Sequence, residues 1–226
     1  MGNIFKTSVH LLHYYIKEIV IPRLPFFIFE ACGIIKISNK ESISYLTKLN
    51  ISGGGGNRIC IGRKSILKKC KIHIHGNNNL IEVRNHCMLH GVEFWIDGNN
   101  HKIVIGDYCT ISHDTQLCAQ EHDTLITIGD DCMISNNVMI RTSDSHPIFN
   151  KQCERINNTG NVIIGKHVWI AANATLLKGI TIGAGSIIGS HSVVTKNIGE
   201  STLNVGIPSK SVKSDVSWSR ENIVNT

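Results

Sequence analysis

The sequence predicts an all-β solenoid, because aliphatic residues recur along it at fixed intervals. In the C-terminal third, an aliphatic residue stands at every sixth position, and a small or β-branched residue usually follows four positions later. An α-helix would give a period of 3.6 and a single strand a period of two, so neither explains a period of six. The aliphatic series is Ile164, Ile170, Leu176, Ile182, Ile188 and Val194.

A longer interval of 22 residues appears in the N-terminal half. Ile59, Ile81 and Ile103 are separated by it, and each follows a patch rich in Gly and Asn that favours a turn. One such unit cannot bury its own apolar edge, so we expect the units to stack as successive coils. Three six-residue steps make one coil in the C-terminal half, and the N-terminal coils are slightly larger.

Composition agrees with short strands and tight turns. Of 226 residues, 6% are aromatic, and the formal net charge is +6 without a dense Lys/Arg run. Nucleic-acid binding is therefore not predicted. The eight cysteines form no CxxC pair, and neither a signal peptide nor a membrane-spanning apolar run is evident. These features favour a reduced cytoplasmic protein.

Three cysteines follow the repeat. Cys87, Cys109 and Cys132 each stand four residues after an aliphatic repeat position, which predicts small inward-facing corner residues rather than metal ligands. A zinc-dependent hydratase remains a rival hypothesis, because the chain has twelve histidines. No third ligand stands at a repeat-matched position beside the nearby pair His86 and His90. Other candidates for that rival site are His73, His75 and His113.

The repeat is interrupted once, by residues 141–161. A long excursion from a regular scaffold is typically functional or disordered. This one contains the pair His146-Pro147 and Phe149, so we expect an ordered functional loop.

The two ends differ from the repeat. Apolar residues at helical spacing predict an amphipathic helix over residues 4–19, expected to cap the first coil. Peripheral contact with the inner membrane through this helix and residues 24–29 is the alternative. Past Pro208 we expect a loose tail or a short capping strand. The chain thus divides into a capping segment 1–50, a solenoid 51–212 and a tail 213–226.

The repeat and two C-terminal stretches resemble the hexapeptide-repeat acyltransferases. The likeness is sharpest in residues 165–183 and 189–198 and in Gly206-Ile-Pro208-Ser-Lys210. The loop with His146-Pro147 and the following Arg155-Ile-Asn157 is most similar to the sugar O-acetyltransferases that modify capsules and lipopolysaccharide. The resemblance implies a left-handed parallel β-helix, acetyl-coenzyme A as co-substrate, no metal requirement and a homotrimer with active sites between subunits.

The resemblance also implies roles for individual residues. His146 would be the general base that takes a proton from a sugar hydroxyl, a task suited to histidine. Asp144 would orient the imidazole or contact the sugar, and the backbone N–H of Ala172 would stabilise the oxyanion. Trp169 is expected to point outward, where it would form one wall of the binding site for the acetyl group, the pantetheine or the sugar. Residues matching the family's coenzyme A site are Ser190, Thr195, Lys196, Pro208 and Lys210.

Two further functions stay open at this point. An amine in place of a hydroxyl as acceptor would make the protein an N-acetyltransferase, and no residue excludes this. A non-catalytic β-helix scaffold would require a vestigial His146 loop, although that loop is intact in the sequence.

Overall fold

The computed structural model describes residues 16–21, 27–31, 35–39 and 41–221, and it is a left-handed parallel β-helix with three faces. Each coil contributes one short strand to each face in the order C, A, B. We name the edges between them the C/A, A/B and B/C corners. The predicted all-β solenoid is confirmed, and the described residues contain no α-helix and hence none that could cross a bilayer.

Each face is a ladder of mostly parallel strands. Face A contains β1 (Ile16–Ile21), β5 (Thr47–Ser52), β8 (Lys71–His75), β11 (Glu93–Asn99), β14 (Gln116–His122), β17 (Met139–Arg141), β20 (Thr175–Leu176) and β23 (Val193–Val194). Face B contains β2 (Phe27–Ala31), β3 (Ile35–Asn39), β6 (Asn57–Ile61), β9 (Leu80–Val83), β12 (Lys102–Ile105), β15 (Leu125–Ile128), β18 (Val162–Ile164) and β21 (Ile180–Ile182). Face C contains β4 (Ile43–Tyr45), β7 (Ile66–Lys68), β10 (Met88–His90), β13 (Thr110–Ile111), β16 (Met133–Ile134), β19 (Trp169–Ile170), β22 (Ile187–Ile188), β24 (Leu203–Val205) and β25 (Lys210–Lys213).

The strand register reproduces both sequence intervals. Ile59 pairs with Ile81 and Ile81 with Ile103, so the 22-residue interval is one coil. In the C-terminal half, Ile170 pairs with Ile188, so three six-residue steps also make one coil. All these side chains are buried in a single continuous core. Stacking in register therefore buries the aliphatic set that a one-residue slip would expose.

The three repeat-matched cysteines occupy the B/C corner, as predicted. Cys87, Cys109 and Cys132 are buried, and each Sγ donates a hydrogen bond to a backbone carbonyl of the next coil, at 2.9, 3.1 and 3.1 Å. Hydrogen bonding between neighbouring thiols, together with burial, raises the pKa of Cys87 and of Cys109. Both therefore stay protonated, whereas a metal ligand is a thiolate.

The N-terminal helix prediction is wrong where the structure can test it. Residues 1–15 lie outside the described residues, but Ile16–Ile21 forms strand β1, which runs antiparallel along β5. The first coil would otherwise leave the edge of β5 unpaired, and pairing with a strand satisfies that edge. On face B, β2 and β3 form an antiparallel pair whose second strand joins β6.

At the other end, the chain closes with a capping strand. Strand β25 runs antiparallel to β24, which is one of the two alternatives expected past Pro208. Residues 214–221 then fold back along the B/C corner and are fastened there by hydrogen bonds. A loose tail is therefore the wrong description of residues 214–221.

Register makes a prediction about two valines on face B. Val83 of β9 is buried, whereas Val104 of β12 alternates with buried neighbours and points outward. We expect Val83→Ala to lower the free energy of unfolding by about 1.5–3 kcal/mol and Val104→Ala by clearly less, because only the first leaves a cavity. Urea unfolding of both variants measures this, and equal losses would contradict the assigned inward and outward faces.

Candidate functional site

The long excursion leaves the solenoid at the A/B corner as a hairpin. It lies between β17 and β18, and Phe149 pairs with Arg155 across it. The Asn150 side-chain carbonyl accepts hydrogen bonds at 2.9 Å from the backbone N–H groups of Gln152 and Glu154, which fixes the hairpin turn. The expected ordered loop is confirmed.

One buried amide holds the base of this hairpin together. The Nδ2 of Asn157 donates to an Asp144 carboxylate oxygen and to the backbone carbonyl of His146, both at 2.8 Å. Its Oδ1 accepts the N–H of Ile148 at 2.7 Å. Asn157 therefore fixes the backbone on both sides of the His146-Pro147 pair.

A lysine from the next coil completes this clamp. The ammonium of Lys178 pairs with the Asp144 carboxylate and donates to the Asn157 carbonyl at 3.0 Å. Lys178 first, and Asn157 second, lower the pKa of Asp144 below its ordinary value. The Asp144 carboxylate thus engages Lys178 and Asn157, and within the described residues no hydrogen bond joins it to the His146 imidazole.

A second ion pair fastens the hairpin to the preceding coil. Arg155 contacts both carboxylate oxygens of Glu121, each at 2.7 Å, and Ser143 Oγ donates to the same carboxylate at 2.5 Å. The guanidinium of Arg155 is the main cause of a lowered Glu121 pKa. Such bidentate Arg–carboxylate contacts fix the relative orientation of the two side chains in addition to pairing their charges.

A buried histidine supports Glu121 from within the A/B corner. His101 is fully buried, and its ring nitrogens lie 3.2 Å from the Glu121 carbonyl and 2.8 Å from Thr124 Oγ1. Burial lowers the pKa of His101, so the ring is neutral at pH 7. Gly98 is needed beside it, because an added Cβ would lie 1.6 Å from the Glu121 carbonyl oxygen.

His146 itself is exposed at the top of this clamped loop. Its backbone carbonyl is fixed by Asn157, while its imidazole has no hydrogen-bond partner among residues 41–221. Pro147 beside it is also exposed. A fixed backbone with a free imidazole can present the ring to an incoming hydroxyl.

The other predicted residues lie elsewhere on the chain. Trp169 points outward from β19 on face C, between the buried Val168 and Ile170. Ala172 lies at the C/A corner, where its carbonyl accepts the His191 N–H at 3.0 Å. The Ala172 N–H has no acceptor in the part of the chain that the structure describes.

The nine predicted site residues therefore form separate groups in a single chain. His146 and Asp144, with the exposed Thr195 and Lys196, follow the A/B corner, and Ala172, Ser190 and Pro208 follow the C/A corner. The groups thus lie along the two opposite edges of face A. Trp169 and Lys210 are on face C.

Sequence reasoning missed the residues that position the loop. Lys178 stands in an ordinary turn of the repeat and Glu121 near the end of strand β14, and the partner of each is 34 residues away in sequence. Asn157 was part of the matched motif but had no assigned role. The excursion contains no aliphatic repeat position and so has no core of its own. A polar side chain such as that of Asn157 was therefore a candidate to hold it by hydrogen bonds.

The histidines proposed for a zinc site are dispersed. His73 and His75 lie beside Trp95 on face A, His86 stacks on Tyr108, and the His90 and His113 rings are 6.4 Å apart. Within residues 41–221, no three His, Cys, Asp or Glu side chains converge as a metal site.

Comparison with known proteins agrees with the repeat. The family model for bacterial transferase hexapeptide (six repeats) matches residues 161–196, and the hexapeptide repeat of succinyl-transferase matches residues 126–141. A polysialic acid O-acetyltransferase from Neisseria meningitidis is 33% identical over 146 residues, which cover 56% of this chain and 68% of that protein.

Two further matches are named for the same activity. The polysialic acid O-acetyltransferase of Escherichia coli O1:K1 / APEC is 32% identical over 119 residues, covering 52% of this chain and 38% of that longer protein. The crystal structure of the polysialic acid O-acetyltransferase OatWY superposes with a TM-score of 0.79 at 31% identity, covering 85% of this chain and 90% of that one.

The clamp predicts how loop mobility responds to loss of Lys178. We expect Lys178→Met to loosen the hairpin, because Asp144 would then keep only Asn157 as a partner. A spin label on Cys153, exposed at the hairpin tip, reports this once Cys32, Cys60 and Cys118 are replaced by serine. Lys102→Met, an exposed lysine of β12, is the control, and equal label mobility in both variants would contradict the clamp.

The same label tests the pH dependence of the loop. Asp144 and Glu121 have lowered pKa values, so their ion pairs contribute fully above the ordinary carboxylate pKa of about 4 and are lost as the pH falls through the lowered values. We therefore expect the label to stay immobile from pH 8 to pH 5 and to become mobile below about pH 4. Constant mobility down to pH 2 in the still-folded protein would be the contrary result.

Proposed function

We propose that this chain, which belongs to the hexapeptide-repeat family of sugar O-acetyltransferases, transfers an acetyl group from acetyl-coenzyme A to a hydroxyl of a polysaccharide acceptor. The observation that carries the proposal is the exposed imidazole of His146 on a backbone clamped by Asn157. Relatives with the same repeat are named polysialic acid O-acetyltransferases. A capsular or lipopolysaccharide chain is therefore the acceptor class we infer.

In the proposed reaction His146 removes the proton from the sugar hydroxyl as its oxygen attacks the thioester carbonyl. The new C–O bond gives a tetrahedral intermediate, whose oxyanion accepts a hydrogen bond from the free Ala172 N–H. When the C–S bond breaks, the His146 imidazolium returns the proton to the departing coenzyme A thiolate. The acetyl group is transferred directly, without an acyl-enzyme.

The co-substrate would follow the C-terminal coils. The exposed Ser190 and Pro208 line the C/A corner there, and Thr195 lines the A/B corner. Lys196 and Lys210 are both exposed and can neutralise phosphates as point charges. No metal takes part in this scheme.

We further propose a homotrimer with face A of each copy turned towards the threefold axis. This arrangement brings the A/B edge of one copy beside the C/A edge of the next, so that His146 meets Ala172 of the neighbouring copy. Three outward residues of the last coils of face A support it, because Met139, Thr175 and Val193 are uncharged and half-buried. Arg141, the charged outward residue of β17, donates to the Ser143 carbonyl and to Ser145 Oγ of the hairpin. In a cytoplasmic protein this trimer would meet its acceptor at the inner membrane, where envelope polysaccharides are assembled.

We expect His146→Ala to lose about 10²–10⁴-fold in acetyl transfer while coenzyme A binding stays unchanged, because only the proton acceptor is removed. The measurement is thiol release from acetyl-coenzyme A with sialic acid polymer, its short oligomers, neutral oligosaccharides and amino sugars. His90→Ala, which replaces an exposed histidine of β10 on face C, is the matched control.

Three results would count against the proposal. Equal turnover by wild type and His146→Ala would remove His146 from the mechanism. Thiol release with amino sugars as the only effective acceptors would show that the enzyme is an N-acetyltransferase. If neither protein binds coenzyme A tightly and neither shows turnover, the result would favour a non-catalytic scaffold.

A further inference from the structure

The C-terminal segment 214–221 is anchored by one arginine that spans several coils. Arg220 donates to Asp131 Oδ1 at 2.7 Å, to Thr110 Oγ1 at 2.9 Å, and to the carbonyls of Cys132 and Tyr108 at 2.9 and 3.2 Å. Most of the guanidinium donors are thus used on the B/C corner. A segment with this many fixed donors is docked in a single position.

Trp218 is fixed just before this anchor by reciprocal contacts with His167. The two rings stack with centroids 4.2 Å apart and an interplanar angle of 8°. The indole N–H donates to the His167 carbonyl at 2.9 Å, and His167 Nε2 donates to the Trp218 carbonyl at 3.1 Å. His167 Nδ1 lies 2.7 Å from Asp131, the carboxylate that Arg220 also binds. One shared carboxylate therefore links both anchors.

The docked indole stands beside the exposed indole of face C. Trp218 and Trp169 have ring centroids 6.2 Å apart and planes inclined at 47°. Both rings are partly exposed, so together they form an open apolar corner. The neighbours of Trp169 in the chain, Val168 and Ile170, point inward and are fully buried, so the indole lies on the outer side of the coil.

The position of this corner indicates which ligand it contacts. Along the chain, Ala172 and the C/A corner lie on one side of Trp169, and His167 with Trp218 lies on the other. Of the co-substrate residues proposed above, Ser190 and Pro208 lie with Ala172 at the C/A corner, and none lies at the B/C corner with Trp218. The side formed by Trp218 is therefore left for the acceptor, and indole faces suit the apolar faces of sugar rings.

We propose that Trp218 binds the acceptor sugar, and that Trp169 and Trp218 together form the wall of the acceptor site with the C-terminal segment holding the second indole in place. This inference rests on the proposed sugar acetylation. It makes the last residues of the chain part of acceptor recognition, although they lie about fifty residues beyond the coil they serve.

Steady-state kinetics of the full-length enzyme test this assignment. We expect Trp218→Ala to raise the KM for the acceptor about tenfold and to change the KM for acetyl-coenzyme A less than twofold. Trp218→Phe restores most of the acceptor affinity, because it keeps an aromatic face. Arg220→Ala reproduces the acceptor defect by releasing the segment, and Glu221→Ala, an exposed neighbour, is the control.

The outcomes separate this inference from the function on which it rests. Turnover by wild type with an unchanged acceptor KM in Trp218→Ala and Arg220→Ala would overturn the inference alone. A parallel rise of both KM values with a lowered Tm would show a purely structural role and also overturn it. Absence of acetyl transfer by wild type to any sugar hydroxyl would overturn the proposed function first. If Trp218→Ala does not fold, Arg220→Ala with Glu221→Ala as its control provides the same comparison.

Discussion

Each coil of this protein can bury its aliphatic residues only when the next coil stacks on it in register, and the rest of the structure depends on that constraint. The pairing of Ile140 with Leu176 shows its strength, because these strands stay in register although the hairpin is inserted between them. Extra residues cannot be absorbed within a face without shifting every later side chain. They leave at a corner instead, where the solenoid tolerates a long insertion.

A loop that leaves the solenoid has no hydrophobic core of its own and must be fixed by other means. Here polar contacts replace packing: Asn157 clamps the backbone around His146, and two ion pairs tie the hairpin to the coils on either side. These pairs are partly exposed, so each alone is worth little, but they share a buried amide and a rigid scaffold. The arrangement leaves the imidazole free while its position is fixed.

Periodicity explains which features could be predicted from the sequence. The coils, the buried cysteines and the position of the loop follow from intervals of six and 22 residues, and Ile59, Ile81 and Ile103 stack as expected. The docking of Trp218 on His167 carries no such interval, because Trp218 lies outside the repeat and 51 residues from its partner. The helical spacing up to Ile19 was misleading, because an unpaired sheet edge recruited β1 as a strand. The loop clamp was likewise hidden, since Lys178 is an ordinary turn residue until the hairpin meets it.

The central claim is that His146 of one copy acts with Trp169 and Ala172 of another, and mixing two variants that each lack one of these side chains tests it most directly. His146→Ala and Trp169→Ala would be co-expressed and the mixed assemblies isolated with two affinity tags. In every mixed trimer one of the three intersubunit sites keeps both native residues, so we expect about a third of wild-type activity to return in the isolated assemblies. No recovery in assemblies shown to contain both variants would contradict the account, because it would place both residues in a site formed within a single chain.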